Sequence, residues 1–451
     1  MIGVVILAAG SGSRLGSLTP KPLVPLLGTP MVCHIIANVP DNIPTYLIVN
    51  PDDLSLFKQA CPKATLLTQS SPKGTGHALI ENKASLQHLS HLIIVNADTP
   101  LIPKSTFLEL ASDKNDNVLI AFECLTKNAY GQLRIDNNCV TGIIEAKERE
   151  QHSLHFSNFY YSGVMKLSQH YLNVLCGIKA SPLTREYYLT SLATPETPFS
   201  LIIKEKERFD GANTLSELID IESRLKTIQI AALLKKGVHL DDYQSISICP
   251  QSNIGKNCKI GAQVSIKDNC DIGENCTIGQ GSILSNTQLA RGVTILPYSI
   301  LANAQIGTNA TIGPFAHIQE GSTIGDRSQI GNFVEVKRST IATGVKAKHL
   351  CYLGDSYIDN HANIGAGVIT CNYVPWKKNK ALTYIGTHAF IGSNCQLIAP
   401  AFIGDFSVCA AGSTITRDVP PYALAISRGT LKLIPSWARS KIKVKPLAAC
   451  E

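Results

Sequence analysis

The chain has 451 residues, of which 44% are hydrophobic and 17% charged, with a formal net charge of +7. That length supports two or three domains with large cores, and the composition excludes a disordered or fibrous chain. No run approaches the roughly 20 apolar residues of a membrane span, and the N-terminal apolar run is short with no basic leader, so a cytoplasmic protein without stable membrane insertion is expected.

The first predicted strand, Ile2–Ala8, empties into LAAGSGSRLG, Leu7 to Gly16. Glycines there let the backbone turn sharply and bring its N–H groups close to an anion, which points to a phosphate. The spacing fits neither the dinucleotide fingerprint, whose third glycine falls on Leu15, nor the P-loop, because Gly10 and Gly16 enclose five residues and no lysine follows. Arg14 and Lys21 are cations for that phosphate. Pro20 and Pro22 flank Lys21, so an extended, stiff segment is predicted around it.

Further strands are predicted at Thr45–Val49, Ala64–Leu67, His91–Asn96 and Val118–Phe122, separated by stretches long enough for helices. This alternation predicts an α/β domain on a mainly parallel sheet. Ligands of such sheets bind at the carboxyl ends of the strands, where the opening loop and Asp98 both fall. From Asn213 to Leu234 the periodicity is helical, with Asn213 as the predicted N-cap.

Beyond this helix the period changes to six: Ile254, Ile260, Ile266, Ile272, Ile278 and Leu284, then Ile306 to Val336, then Ile385 to Ile403. Period six fits neither a helix nor simple alternation and is the signature of a parallel β-helix, one short strand per hexapeptide. Phase breaks near Leu289, Ile341 and Pro375–Lys380 are expected to be loops leaving the coil. Cys258, Cys270 and Cys276 recur in the phrase Asn-Cys-x-Ile-Gly, so they are read as a small-residue repeat position and not as metal ligands. The tail cations Lys432, Arg439, Lys441, Lys443 and Lys445 are not interleaved with aromatics, which argues against a nucleic-acid partner.

The phrases LAAGSGSRL…PKPL, GTGHA, NADTPL and YGQLRI resemble the sugar-1-phosphate nucleotidylyltransferases. GNFVEVK, KAKHLCYLGD, NIGAGVITCNY and ALAISR resemble the bifunctional branch of that family, the N-acetylglucosamine-1-phosphate uridylyltransferase/glucosamine-1-phosphate acetyltransferases. The resemblance runs from Ile6 to about Arg428. It implies a Rossmann-like α/β nucleotidyltransferase domain (1–212), a linker helix (213–239), a left-handed parallel β-helix acetyltransferase domain (240–428) and a basic tail (429–451). It also implies a homotrimer acting on small molecules, with UTP and acetyl-CoA as co-substrates and Mg²⁺ for uridylyl transfer.

Carried over position by position, the resemblance assigns Leu7, Ala8, Ala9, Gly10, Gln69, Gly74 and Thr75 to the nucleotide, and Arg14 and Lys21 to its phosphates. Asp98 and Asn213 become metal ligands, and Gly131 and Glu145 hold the sugar. In the second half His349 becomes the base that deprotonates the amine. Lys337, Tyr352, Asn363 and Lys380 hold the sugar phosphate, while Asn372, Tyr373, Ser393, Ala411 and Arg428 line the acetyl-CoA site. Departures from the family pattern are Gln319 at a phosphate-binding arginine, Ser11 at a loop lysine, Asn96-Ala97 at a Tyr-Gly, and Tyr161 at a sugar-binding Asn. About two extra residues follow Asn372-Tyr373. These leave open a different amino sugar or nucleotide. A non-catalytic nucleotide-sugar-binding scaffold is the alternative of another class.

Overall fold

A computed structural model describes residues 1–10, 19–126, 128–149, 156–374, 379–427, 429 and 433–435. The chain forms two units, Met1–Ala232 and Leu233–Glu451.

The first unit is built on nine strands: β1 (Ile2–Leu7), β2 (Thr45–Val49), β3 (Thr65–Thr68), β4 (His91–Asn96), β5 (Val118–Glu123), β6 (Gln132–Asp136), β7 (Cys139–Ile144), β8 (Phe159–Ser168) and β9 (Phe199–Ile203). In space they run β3-β2-β1-β4-β8-β5-β9-β7-β6. The β3-β2-β1-β4 half is parallel, as expected for strands joined by crossover helices. Beyond it β8 runs antiparallel to both β4 and β5. Alternation along each strand feeds two layers. Val4, Ile6, Ile93 and Val95 pack on one face, and Val5, Leu92 and Ile94 on the other, which is how a sheet covered on both sides reads.

Two local expectations change. Lys21 opens a 3₁₀ turn, Lys21–Leu23, instead of an extended run, with Leu23 N–H donating to Pro20 C=O at 2.8 Å. A proline φ suits the first turn of a helix as well as an extended strand, so rigidity survives and extension does not. The helix Leu215–Lys235 is capped by Thr214 and not by Asn213. Glu217 N–H donates to Thr214 Oγ1 at 3.2 Å, and the Glu217 carboxylate accepts from the N–H groups of Thr214 (3.0 Å) and Asn213 (2.6 Å). This reciprocal capping box leaves the Asn213 side chain free for another partner.

The second unit is the expected left-handed parallel β-helix, with one sheet wall formed from strands such as Asn253–Ile254 and Asp271–Ile272 and two more merged at a corner. The hexad residues fill its interior: Ile254, Ile260, Ile266, Leu284 and Val336 are all buried. Cys258 and Cys276 are buried at the same repeat position, each thiol donating to a carbonyl of the next coil, Gly273 and Ala290. All described cysteines are free.

The phase breaks have a different meaning from the one expected. Leu289 and Ile341 are not on loops; both are buried and paired, Leu289 on Ile306 and Ile341 on Ile358. The coil loses one residue at a corner. The steps Leu284 to Leu289, Leu301 to Ile306, Val336 to Ile341 and Leu353 to Ile358 are five residues long, and all lie on one edge of the helix. At each short corner a single residue turns in the left-handed region: Asn286, Asn303, Arg338 and Asp355, with φ of 45–49°. The real excursion also leaves from this edge, between Thr370 and Ile385, and includes the antiparallel pair Tyr373–Val374 and Asn379–Lys380. At the other two edges the hexad holds from Ile254 to Ile415, for example Ile306 to Ile312 and Ile312 to Ile318; only the opening coil is longer there, with eight residues from Leu240 to Ile248.

Candidate active sites

At the carboxyl ends of β1 and β4 a cavity of about 570 Å³ is lined by Leu7, Ala8, Ala9, Gly10, Gln69 and Asp98, among others. The sharpest feature inside it is a cation bridging two oxygens. Lys21 Nζ lies 2.6 Å from Asp98 Oδ2 and donates to Asn213 Oδ1 at 2.9 Å. The three residues come from the turn after β1, the end of β4 and the segment before the long helix, so the topology alone brings them together. The Lys21 side chain is only 12% exposed.

Around this point lie most of the predicted nucleotide and sugar positions. Gln69 Nε2 donates to Gly74 C=O at 3.1 Å. Gly74 has φ of +104°, and a Cβ there would meet the Tyr187 carbonyl at 2.6 Å, so only glycine serves at this turn. Thr75 begins the helix Thr75–Glu81 and anchors the opposite wall, its hydroxyl accepting from Leu189 N–H. Gly131 and Glu145 also line the cavity, with Tyr161. Burial pushes the Glu145 carboxyl up, against the effect of a 2.6 Å hydrogen bond from Thr190 Oγ1. Thr190 carried no signal in the sequence. Burial also pushes the Tyr161 phenol up, with the Glu145 charge adding to it. Arg14 and Ser11 lie outside the described residues.

In the β-helix, successive coils stack the predicted acetyl-transfer residues. Asn332 sits beside His349, Glu335 beside Tyr352 and Lys337 beside Gly354; Lys346 pairs with Asn363. His349 Nδ1 is 3.2 Å from Asn332 Oδ1. With that amide oxygen accepting from Nδ1–H, the lone pair is left on Nε2, the arrangement a general base needs. Asn332 was missed in the sequence. Its only signal is its position one coil before His349. Ser393 and Ala411 lie on later coils of the same edge, with Gly412 N–H donating to Ser393 C=O and Asn394 N–H to Ala366 C=O.

A second cluster occupies the edge where the coil length varies. Arg338 holds Asp355 through two hydrogen bonds, 2.7 Å from Nε and 2.8 Å from Nη2. Asn372 donates to the same carboxylate and to Tyr352 Oη. Asn372 thus sits with Tyr352, not beside Ser393 and Ala411 on the chain. Tyr373 and Lys380 face each other across the excursion hairpin. Gln319, at the position of the family arginine, donates its amide to Glu335. Arg428 lies outside the described residues, as do Lys432 and the tail cations from Arg439 onward.

A family model described as a MobA-like NTP transferase domain matches residues 4–134. Models described as a GMPPB C-terminal domain and as a hexapeptide repeat of succinyl-transferase match residues 243–326 and 383–417. The bifunctional protein GlmU of Thermodesulfovibrio yellowstonii is 37% identical over 456 residues, covering 98% of this chain and 99% of that protein. Proteins of the same name from Stenotrophomonas maltophilia and Idiomarina loihiensis are 31% and 33% identical, each over at least 97% of this chain. The chain belongs to the bifunctional GlmU family. It is therefore a nucleotidyltransferase and an N-acetyltransferase on one polypeptide. The two activities of the GlmU family are acetylation of glucosamine-1-phosphate by acetyl-CoA and uridylyl transfer from UTP to N-acetylglucosamine-1-phosphate. Full-length coverage on both sides joins the α/β unit and the β-helix as one GlmU chain, not as two unrelated modules.

Proposed function

We propose that uridylyl transfer occurs in the α/β cavity around Lys21, Asp98 and Asn213, and acetyl transfer on the β-helix around His349. The observation that carries the first assignment is the Lys21 ammonium seated between Asp98 and Asn213. It marks a point where one carboxylate and one amide oxygen converge on positive charge. Such a hard-oxygen pair suits Mg²⁺, which takes few protein ligands and fills the rest of its shell with phosphate oxygens and water. Bound there, Mg²⁺ would disperse charge on the UTP phosphates.

The chain's own groups supply position and charge. Backbone of Leu7–Gly10 borders the phosphates, Gln69 and the Gly74-Thr75 turn hold the base, and Gly131 and Glu145 hold the sugar. With Mg²⁺ held by Asp98 and Asn213, Lys21 and Arg14 would supply positive charge to the phosphates. Nucleotidyl transfer depends on such in-line positioning more than on an acid or base. On the β-helix His349 Nε2 takes the proton that the sugar amine loses as it attacks the thioester.

A trimer is proposed for the assembled enzyme. Tyr298, Phe315 and Phe333 form an exposed ladder of stacked rings, with centroids 5.4 and 5.5 Å apart, leading up to Asn332 and His349. Exposed apolar surface of this kind is covered when copies associate. The free cysteines fit a reducing, cytoplasmic setting, and no helix among the described residues is long and apolar enough to cross a membrane.

Paired variants test the assignment. Asp98→Ala should lower uridylyl transfer more than about 100-fold and spare acetyl transfer, because only the first reaction needs the metal. His349→Ala should do the reverse, lowering acetyl-transfer kcat with little change in KM, since proton removal matters in the transition state. Pyrophosphate release and free-thiol release report the two reactions. Retained uridylyl transfer in Asp98→Ala, or in EDTA, would reject the metal site.

A further inference from the structure

Tyr130 belongs to the YGQLRI phrase, yet neither its type nor its spacing marked it. In the structure all of its polar atoms are engaged. Its N–H donates to Asn128 Oδ1 at 3.0 Å, and its C=O accepts from Arg149 Nη2. Arg149 also donates to Asn128 C=O at 2.8 Å, and its guanidinium lies 5.2 Å from the Tyr160 ring centroid. The Tyr130 ring meets Phe122 edge to face at 5.0 Å. Its hydroxyl then reaches across the cavity rim: it accepts from Gly211 N–H at 2.9 Å and donates to Phe209 C=O at 3.3 Å.

The segment so held, Phe209–Asn213, is pressed against Asp98. Ala212 N–H donates to Asp98 C=O at 3.3 Å, and a Cβ on Gly211 would meet the Asp98 carboxylate at 3.3 Å. Asp210 is pinned from the outside by Arg224 at 2.6 Å. The segment ends in Asn213. Without the tyrosine hydroxyl the strap loses its hydrogen bonds at Gly211 N–H and Phe209 C=O, and keeps those that Asn213 makes with Lys21 and Glu217.

We propose that Tyr130 is a positioning residue that sets Asn213 against Asp98 and joins the sugar-holding loop at Gly131 to the metal-holding strap. This rests on the assignment of Asp98 and Asn213 as metal ligands. Tyr130 does not touch the reacting atoms. Its one hydroxyl fixes the distance between two ligands carried on different segments. Arg149 and Phe122 serve in turn to hold the tyrosine. Oxygen ligands misplaced by a few tenths of an ångström suit Mg²⁺ poorly, because it demands near-ideal octahedral geometry.

The test compares the full-length chain with Tyr130→Phe, which removes one oxygen and leaves the ring on Phe122. Hydrogen exchange of the peptide containing Gly211 reports the strap. Binding of Mn²⁺ in the presence of UTP and absence of sugar phosphate, followed by electron paramagnetic resonance, reports the metal point. In the variant, Gly211 exchange should quicken and Mn²⁺ affinity should fall by about three- to tenfold, the worth of one hydrogen bond. Excess Mg²⁺ should restore most of the uridylyl turnover, while the KM for UTP, acetyl transfer and the melting temperature stay unchanged. Unchanged Gly211 exchange overturns the proposal. So does faster exchange with unchanged Mn²⁺ affinity when Asp98→Asn, measured alongside, weakens Mn²⁺ binding. A lower melting temperature with both activities falling together also overturns it, marking a merely structural tyrosine. If Asp98→Asn leaves Mn²⁺ binding intact, the metal assignment itself is what fails, and Gly211 exchange alone decides whether Tyr130 holds the strap.

Discussion

Asp355 answers to groups from two other coils at once. The Arg338 guanidinium, through two hydrogen bonds, and then the Asn372 amide hold its carboxyl below the usual aspartate range, and Lys380 adds a smaller attraction. A depressed carboxylate contributes stability that is full above its unfolded value of about 4 and is lost as pH falls through the folded value. Asp355→Asn should therefore lower the stability of the β-helix at pH 7 by roughly 1 kcal/mol, a figure reduced for the partly exposed guanidinium. The gap between variant and wild type should close as pH falls below about 4. Thermal melts across that range check it, and a gap that widens in acid would contradict the pairing. At this scale the sequence pointed to the groups proposed to meet substrate. Lys21, Asp98, Asn213 and His349 have chemistry written in their type. Asn332, Thr190 and Tyr130 did not stand out, because their work is to hold another group and only the fold says which residue that is.

Among elements, the β-helix was legible over long runs, since one buried hexad residue per strand leaves a regular trace between the phase breaks. What the period could not say was how a missing residue is absorbed. The structure places each shortened step on one edge, where the five-residue corner turns on a left-handed residue two positions after the buried one. This makes a contrast between two deletions. Removing Gly321, within the six-residue step from Ile318 to Ile324 on that same edge, should leave the downstream coils in register. Glu320 then takes the left-handed position, at a cost of about 1–2 kcal/mol. Removing Asn309, between Ile306 and Ile312 on an edge that holds its hexad throughout, should move downstream hexad residues out of phase and prevent folding of those coils. Circular dichroism and acetyl-transfer activity separate the two. Equal damage from both deletions would refute the special edge. In the first unit the five strands up to Phe122 were legible to within a residue or two, while the four that follow, between Gln132 and Ile203, were not read. The cap of the long helix was not, because Asn213 and Thr214 are both good N-caps and the choice between them is made by Glu217 three residues on.

For the molecule as a whole, each unit has its own core and its own proposed site. The helix Leu215–Lys235 serves both: Leu218, Ile221 and Leu225 pack with Leu26 and Met31 in the first unit, and Leu233 joins the core of the second. A fragment of residues 1–232 should keep uridylyl transfer and be monomeric or weakly associated. A fragment of residues 233–451 should keep acetyl transfer and be trimeric. Light scattering of each fragment checks the association, and a monomeric second fragment with full acetyl transfer would reject the trimer. The family and both reactions were legible because motifs for two chemistries occur in one chain. The shape of the sugar end was not. Tyr161 and Asn96 line that cavity in place of the family's residues, and no periodicity reports what a single substituted wall residue admits.

The edge that tolerates a missing residue also carries Lys337, Arg338, Asp355, Asn372 and the hairpin with Lys380. A coil of this kind has a reading frame of its own, and along one seam a frameshift is silent. Descendants of this fold can lengthen or trim that seam without disturbing the turns that follow. New acceptor pockets are therefore cheapest to evolve there, and the comparison of homologues by insertion length along this seam should sort them by the molecule they acylate.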